Sequence, residues 1–182
     1  IGFLRVGKNS FFRIITAGYI TVIRQTPLLI QLMCWYFVGF LSIRNNSFLN
    51  LSNVVNISNK GIELFGLNLS SEFSALLFGL SIFSSAFIAE VIRGGIQSVP
   101  VGQWEAFRSL GISEKQGFIK IIIPQALPAF IPGLTSQYLN LAKNSTLAIA
   151  IGYADIYAIN DTIINQTGRA VECFIILLCS FL

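Results

Sequence analysis

Few side chains in this 182-residue chain do covalent chemistry, and none is spaced to do it. There is no histidine, which removes the commonest general base and metal ligand. Cys34, Cys173 and Cys179 sit in apolar surroundings without metal-type spacing, so they read as small apolar side chains. The acids are scattered, and no G-x-x-x-x-G-K-[ST] phosphate loop occurs. We therefore assign no catalytic, cofactor-binding or metal-binding residue, and expect a chain that is not an enzyme. The charged and polar residues are instead placed for recognition and passage. Glu105, Arg108, Glu114, Lys115 and Lys120 crowd into 105–124, between two long apolar segments. A polar stretch with helical character between membrane spans is a docking surface. A second group follows, in and beyond a third apolar segment: Gln137, Asn140, Lys143, Asn144, Ser145 and Thr146. A lysine at the end of a span, beside polar residues, marks a functional site by default, with snorkelling to the interface as the competing explanation.

The elements that must hold these residues are membrane helices. The chain is 54% hydrophobic and 11% charged, against about 25% charged in soluble domains. Its mean hydropathy is +0.72. Spans are expected at 27–43, 73–96, 121–142 and 171–182, the last one truncated. The chain opens on Ile1 without Met and closes in an apolar run, so we expect one partial transmembrane domain cut at both ends, with 1–6 the tail of an earlier span. Lys and Arg number four in 1–24, two in 44–71, four in 93–120 and one in 152–169. That alternation puts 1–24 and the 97–120 loop on the cytoplasmic side. The net charge of +4 therefore reports orientation, and nucleic acid is not an expected partner.

Local signals refine this outline. Apolar spacing over 11–23 predicts a short amphipathic or interfacial helix. In Arg24-Gln25-Thr26-Pro27-Leu28-Leu29-Ile30-Gln31, Thr26 is placed to cap a helix and Pro27 suits its first turn. Gln31 is tolerated within the span if it faces other helices. Residues 44–71 read as an extracytoplasmic loop, long enough to carry a short element of its own. Ser81, Ser84, Ser85, Ala86 and Ala89 give the second span a small-residue face for close packing. Glu90 and Arg93 are three apart and are expected to pair along their helix. In the 97–120 loop, 103–110 forms a short helix that Gly111 ends. Ser113 caps a second helix, with Gln116 completing a capping box. The product is a helix–Gly–helix elbow with Glu105 and Arg108 exposed at its tip. Pro124, Pro128, Pro132 and Gly133 suggest a bent third span lining a path. Residues 153–168, with Asp155 and Asp161, read as outside.

The elbow resembles the EAA loop of ABC importer permeases. The family pattern is Glu-Ala-Ala, three residues, Gly, nine residues, Ile, one residue, Leu-Pro. Here Glu105, Ala106 and Phe107 are followed by Gly111, Ile121, Ile123 and Pro124 at the same spacing; Phe107 replaces the second Ala and Ile123 the Leu. The stretch containing Arg24, Thr26, Pro27 and Gln31 is similar to the Arg-Gly-Thr-Pro-Leu-Leu-x-Gln signature of polar amino-acid permeases, with Gln25 in place of Gly. Glu90 to Gly95 resembles the Ala-Glu-x-x-Arg-Gly-Gly ending of the family's preceding span, and 135–155 its Lys-Asn-Ser-Ser-Leu segment. The resemblance implies an all-α polytopic bundle of the type I importer permease kind in a bacterial inner membrane, for polar amino acids. It implies that Glu105, Ala106, Arg108, Gly111, Ile121 and Pro124 couple to a separate ATPase, which binds the ATP. It places Gln137, Asn140, Lys143, Asn144, Ser145 and Thr146 along the translocation path. The implied partners are that ATPase, a second permease (identical or not), an extracytoplasmic amino-acid-binding protein and membrane lipid. The alternatives are a permease for another small solute, such as methionine, and a polytopic membrane protein with no transport role.

Overall fold

The computed structural model describes residues 10–42, 49–51, 55–58, 60–64 and 67–181. The expected tail at 1–6, the basic residues Arg5, Lys8 and Arg44, and the chain ends of the first and last expected spans (Ile43 and Leu182) lie outside the described residues. The chain divides into two compact units, one of residues 1–25 and 83–140, the other of 26–82 and 141–182.

The first unit is built on α1 (Ser10–Gln25) and the second half of α3 (Ser71–Gln97). Helix α1 exposes Phe11, Phe12, Ile14, Ile15 and Val22, and buries Thr16 and Ile20. Ile20 packs on Ala86 and Ala89, all of them 2% exposed or less, and Tyr19 Oη lies 2.7 Å from Ser85 Oγ. The small-residue face of the second span is thus where α1 approaches. The unit continues through α4 (Val101–Ser109) and α5 (Glu114–Gly117). A π turn (Phe118–Ile122) then leads into α6 (Ile123–Asn144). With the 3-10 turn Ser145–Ile151, the helical run from Glu114 to Ile151 is 38 residues long. At 1.5 Å per residue it and the 27-residue α3 exceed the roughly 30 Å bilayer core. Of the three prolines in α6, Pro124 stands in its first turn, and Pro128 and Pro132 are carried inside the helix.

Helices α3 and α6 meet at two glycines. A Cβ on Gly95 would lie 2.7 Å from Phe130 Cβ, and one on Gly133 would lie 2.7 Å from Val91 Cγ1. Each helix supplies one large side chain and one glycine, four and three residues apart. The crossing is reciprocal, each glycine making room for a side chain of the other helix.

The second unit holds α2 (Leu28–Met33), which runs on as a π turn (Cys34–Phe40), the first half of α3, and the 3-10 turn. Helix α2 packs against the 3-10 turn, burying Leu28, Leu32, Ala148 and Ile151. Gly79 of α3 receives the Leu32 side chain, whose Cδ2 would lie 2.5 Å from an added Cβ. The long loop carries a four-stranded antiparallel meander: β1 (Leu49–Leu51), β2 (Val55–Ser58), β3 (Gly61–Leu64) and β4 (Leu67–Ser70). Its register aligns Ile57 with Ile62 and Ile62 with Leu69. Within 153–168 the chain forms α7 (Ile156–Thr167). The Asp155 carboxylate caps it by accepting from the Ile156 N–H, and Gly168 ends it. Helix α8 (Ala170–Phe181) follows. Asn160, buried in α7, donates to the Cys173 carbonyl at 3.1 Å and ties the two helices together.

Candidate functional site

The elbow is assembled from local rules and then anchored by a core. Helix α4 is C-capped by Leu110, and Gly111 takes φ +70°, the left-handed conformation that an L side chain adopts only at a cost. The Ile112 N–H then reaches the Phe107 carbonyl at 3.1 Å. Ser113 caps α5, its Oγ accepting from the Gln116 N–H at 3.4 Å. The expected capping box is altered: Gln116 Oε1 lies 3.2 Å from the Ser113 hydroxyl instead of returning to its backbone N–H. Ser113→Ala is expected to cost about 1 kcal/mol of elbow stability. Faster hydrogen exchange confined to 113–117 would register it; unchanged exchange there would deny the cap its role.

Beneath the elbow, Ile96, Val99, Phe107, Ile122, Ala126 and Phe130 form one buried cluster. It joins the end of α3, the elbow and the start of α6. Burying an aromatic side chain of this size contributes about 1.5–3 kcal/mol. Of the expected coupling residues, Glu105 and Ala106 are exposed, as are Gly111 and Pro124, while Ile121 is half-buried against the cluster. Arg108 is not simply presented at the tip. Its Nε donates to Glu114 Oε1 at 3.0 Å, and its guanidinium lies over the rings of Phe107 (5.7 Å) and Trp104 (6.0 Å). This clips α4 to α5 across the bend. The pair is half exposed, so its worth is small.

A second constellation joins the two signatures that precede the elbow. Glu90 Oε2 accepts from Arg93 Nη2 at 2.8 Å and from Arg93 Nε at 3.1 Å, the pairing expected along one helix. Arg93 also donates to Gln97. The partner that sequence alone missed is Arg24 of α1, whose Nη1 lies 3.9 Å from the same carboxylate oxygen. The Arg24 guanidinium sits 5.2 Å from the centre of the Phe87 ring. Arg24, Phe87 and Glu90, with Ile20, Thr21 and Gln25, line a cavity of about 370 Å³.

The start of the first span differs from its expected capping. Pro27 is the N-cap and Leu28 the first helical residue. Thr26 does not cap the helix, because its hydroxyl accepts instead from the Gln31 amide at 2.6 Å. The same amide reaches the Thr26 carbonyl at 3.1 Å. Gln31 is buried, and its amide ties the first turns of α2 to Thr26. In α6, Gln137, Asn140 and Asn144 recur at three and four residues and so share one helix face, with Lys143 to one side. Lys143 is exposed. Ser145 and Thr146 turn their hydroxyls back to the carbonyls of Ala142 and Lys143, at 2.7 and 2.8 Å.

All 182 residues match the model of the family described as "Binding-protein-dependent transport system inner membrane component". The chain belongs to that family. A permease of this family is an integral component of an inner membrane, and its helical fold is that of the type I importers. It is 56% identical over 108 residues to the putative amino-acid ABC transporter permease protein YhdX of Escherichia coli (strain K12), covering 59% of this chain and 28% of that protein. It is 35% identical over 158 residues to the probable glutamine ABC transporter permease protein GlnM of Bacillus subtilis, covering 87% and 62%. Over 176 residues it is 32% identical to the nopaline transport system permease protein NocM of Agrobacterium fabrum, covering 97% and 67%. It also superposes on the crystal structure of an amino acid ABC transporter with histidines, with a TM-score of 0.73 and 32% identity, covering 99% of this chain and 73% of that one. The chain spans 28% of YhdX and 25% of a second relative, the general L-amino acid transport system permease AapQ of Rhizobium johnstonii. This permease domain is therefore a portion of the length of such relatives.

Proposed function

We propose that this chain is the multi-pass permease of an ATP-driven importer for polar amino acids. It forms the translocation path and receives its energy from a separate cytoplasmic ATPase through the elbow at 105–124. The observation that carries the reading is the elbow itself. Glu105 lies exposed on α4, while Phe107 on the same helix is 1% exposed in the cluster shared with α3 and α6. A docking helix so rooted moves two membrane helices when it is displaced. The relatives named for amino-acid, glutamine and nopaline transport support the substrate class.

In this reading the ATPase binds the nucleotide. A second permease, identical or related, completes the path. An extracytoplasmic amino-acid-binding protein delivers substrate, and lipid covers the apolar faces. Gln137, Asn140, Lys143, Asn144, Ser145 and Thr146 line the way through. Alternation between inward- and outward-open packings follows from the differing affinity of the closed and open ATPase for the two states.

The test is purification of the full-length permease from membranes, wild type beside Glu105→Lys, with identification of what co-purifies. Wild type is expected to retain an ATPase subunit that Glu105→Lys loses. A clean preparation without any ATPase in either case would remove the importer reading. Gly111→Val extends the test. A β-branched residue takes the left-handed turn only at about 1–2 kcal/mol, so uptake is expected to fall severely even where the protein still assembles. Wild-type uptake in that variant would count against elbow coupling.

A further inference from the structure

We propose that Phe107 is a positioning residue for energy coupling: its ring, seated on Gly117, fixes the angle between the elbow and α6, so that the two move as one body. Three observations meet at this contact. A Cβ on Gly117 would lie 2.4 Å from Phe107 Cδ2 and 2.6 Å from two further ring carbons, so the ring occupies the space any other residue there would need. Gly117 is also where α5 gives way to the π turn, whose N-cap it is, and that turn leads without interruption into α6. A π turn is a local irregularity of the helical hydrogen-bond ladder and a place where helices change direction. The third observation is lateral support. Trp104 lies 6.0 Å from the Phe107 ring centre and 6.1 Å from that of Phe118, and the Arg108 guanidinium covers the outer side.

Phe107 is therefore wedged at the joint between docking helix and membrane helix. Phe107 stands where the resembling pattern has a second Ala, and Gly117 supplies the room that the larger side chain needs. Without the ring, the joint keeps its helices and caps but loses the contact that stops it bending, and elbow displacement is absorbed at the π turn instead of moving α6. The proposal rests on the reading that the elbow docks on an ATPase.

The experiment uses the complete transporter, reconstituted in vesicles with its partner subunits. ATP hydrolysis and amino-acid uptake are measured on the same preparation for wild type, Phe107→Ala, Phe107→Leu and Gly117→Ala. Phe107→Ala is expected to retain the ATPase subunit and most of its hydrolysis, with uptake per ATP lowered roughly three- to tenfold. Phe107→Leu, which keeps some of the wedge, is expected to fall between; it carries the test if the alanine variant fails to assemble. Gly117→Ala displaces the ring and is expected to lower the same ratio, with no further drop when Phe107→Ala is added. An unchanged ratio in Phe107→Leu and Gly117→Ala, or hydrolysis and uptake falling in proportion, would overturn the proposal. Failure of the wild type to hold an ATPase at all would be a different result: it would remove the importer reading, and the proposal with it.

Discussion

Gly95→Val is expected to remove most folded permease from the membrane, while Gly94→Ala leaves it in place. The two glycines are adjacent in sequence but meet different surroundings. An added Cβ on Gly94 has nothing within 4 Å, whereas on Gly95 it lies 2.7 and 2.8 Å from Phe130 Cβ and Cδ1. Phe130 cannot yield easily, since it is 9% exposed and part of the cluster beneath the elbow. Overpacking of this kind costs about 1–3 kcal/mol per site, and a branched side chain stands at the upper end. Helices in lipid gain little from expelling water, so loss of van der Waals fit at the crossing is not offset elsewhere. Gly94→Ala instead gains about 1 kcal/mol of helix propensity. The check is yield of monodisperse protein and its thermal midpoint in detergent. Wild-type values for Gly95→Val would show that α3 and α6 do not cross here. Gly133→Val is expected to behave like Gly95→Val, because Val91 fills the reciprocal position.

Neutralising Glu90 is expected to impair the permease nearly as strongly. One carboxylate oxygen takes both contacts from Arg93 and faces Arg24 at 3.9 Å. In Glu90→Gln the two guanidinium groups remain close with no counter-charge between them. Hydrogen bonds to charged groups are worth about 1.5–3 kcal/mol each when formed away from water. The Glu90 side chain is 16% exposed, so it feels little screening; that of Arg24, at 46%, feels more. Arg24→Gln should therefore cost less than Arg93→Gln, and Glu90→Asp should recover part of the loss. Thermal midpoints of the four variants, with uptake in vesicles, give the order. Equal stability of Glu90→Gln and wild type would make the cluster a surface pairing without consequence.

Much of the site was legible in the chain because its signals are local. Gly111 ends a helix and Ser113 starts one through contacts within a few residues. The pairing of Glu90 with Arg93 needs only helical geometry. Thr26 shows the limit of such reasoning. Its side chain is a good N-cap by type, yet Gln31, five residues on, takes its hydroxyl, so one local rule lost to another contact of similar range. The helix at Ile156–Thr167 has no signal in the charge pattern of 153–168, which bears on sidedness and not on backbone conformation. Asp155 is in fact its N-cap. Nothing in the spacing of 44–71 specified the four-stranded meander beyond room for a short element.

What the sequence by itself determined is the membrane class, the helix–Gly–helix elbow and the family to which its motifs point. Apolar content, charge placement and capping act over a few residues or by simple summation, so no third dimension is needed to read them. What only the tertiary structure decided is which residues meet across helices. Glycine spacing does not reveal that Gly95 and Gly133 receive Phe130 and Val91, because the relative rotation of two helices is set by their mutual packing. For the same reason Arg24 and Glu90, 66 residues apart, become neighbours only when Ile20 settles on Ala86 and Ala89. In the sequence Phe107 is only a replacement of the pattern's second Ala; in the fold its ring fills the space over Gly117.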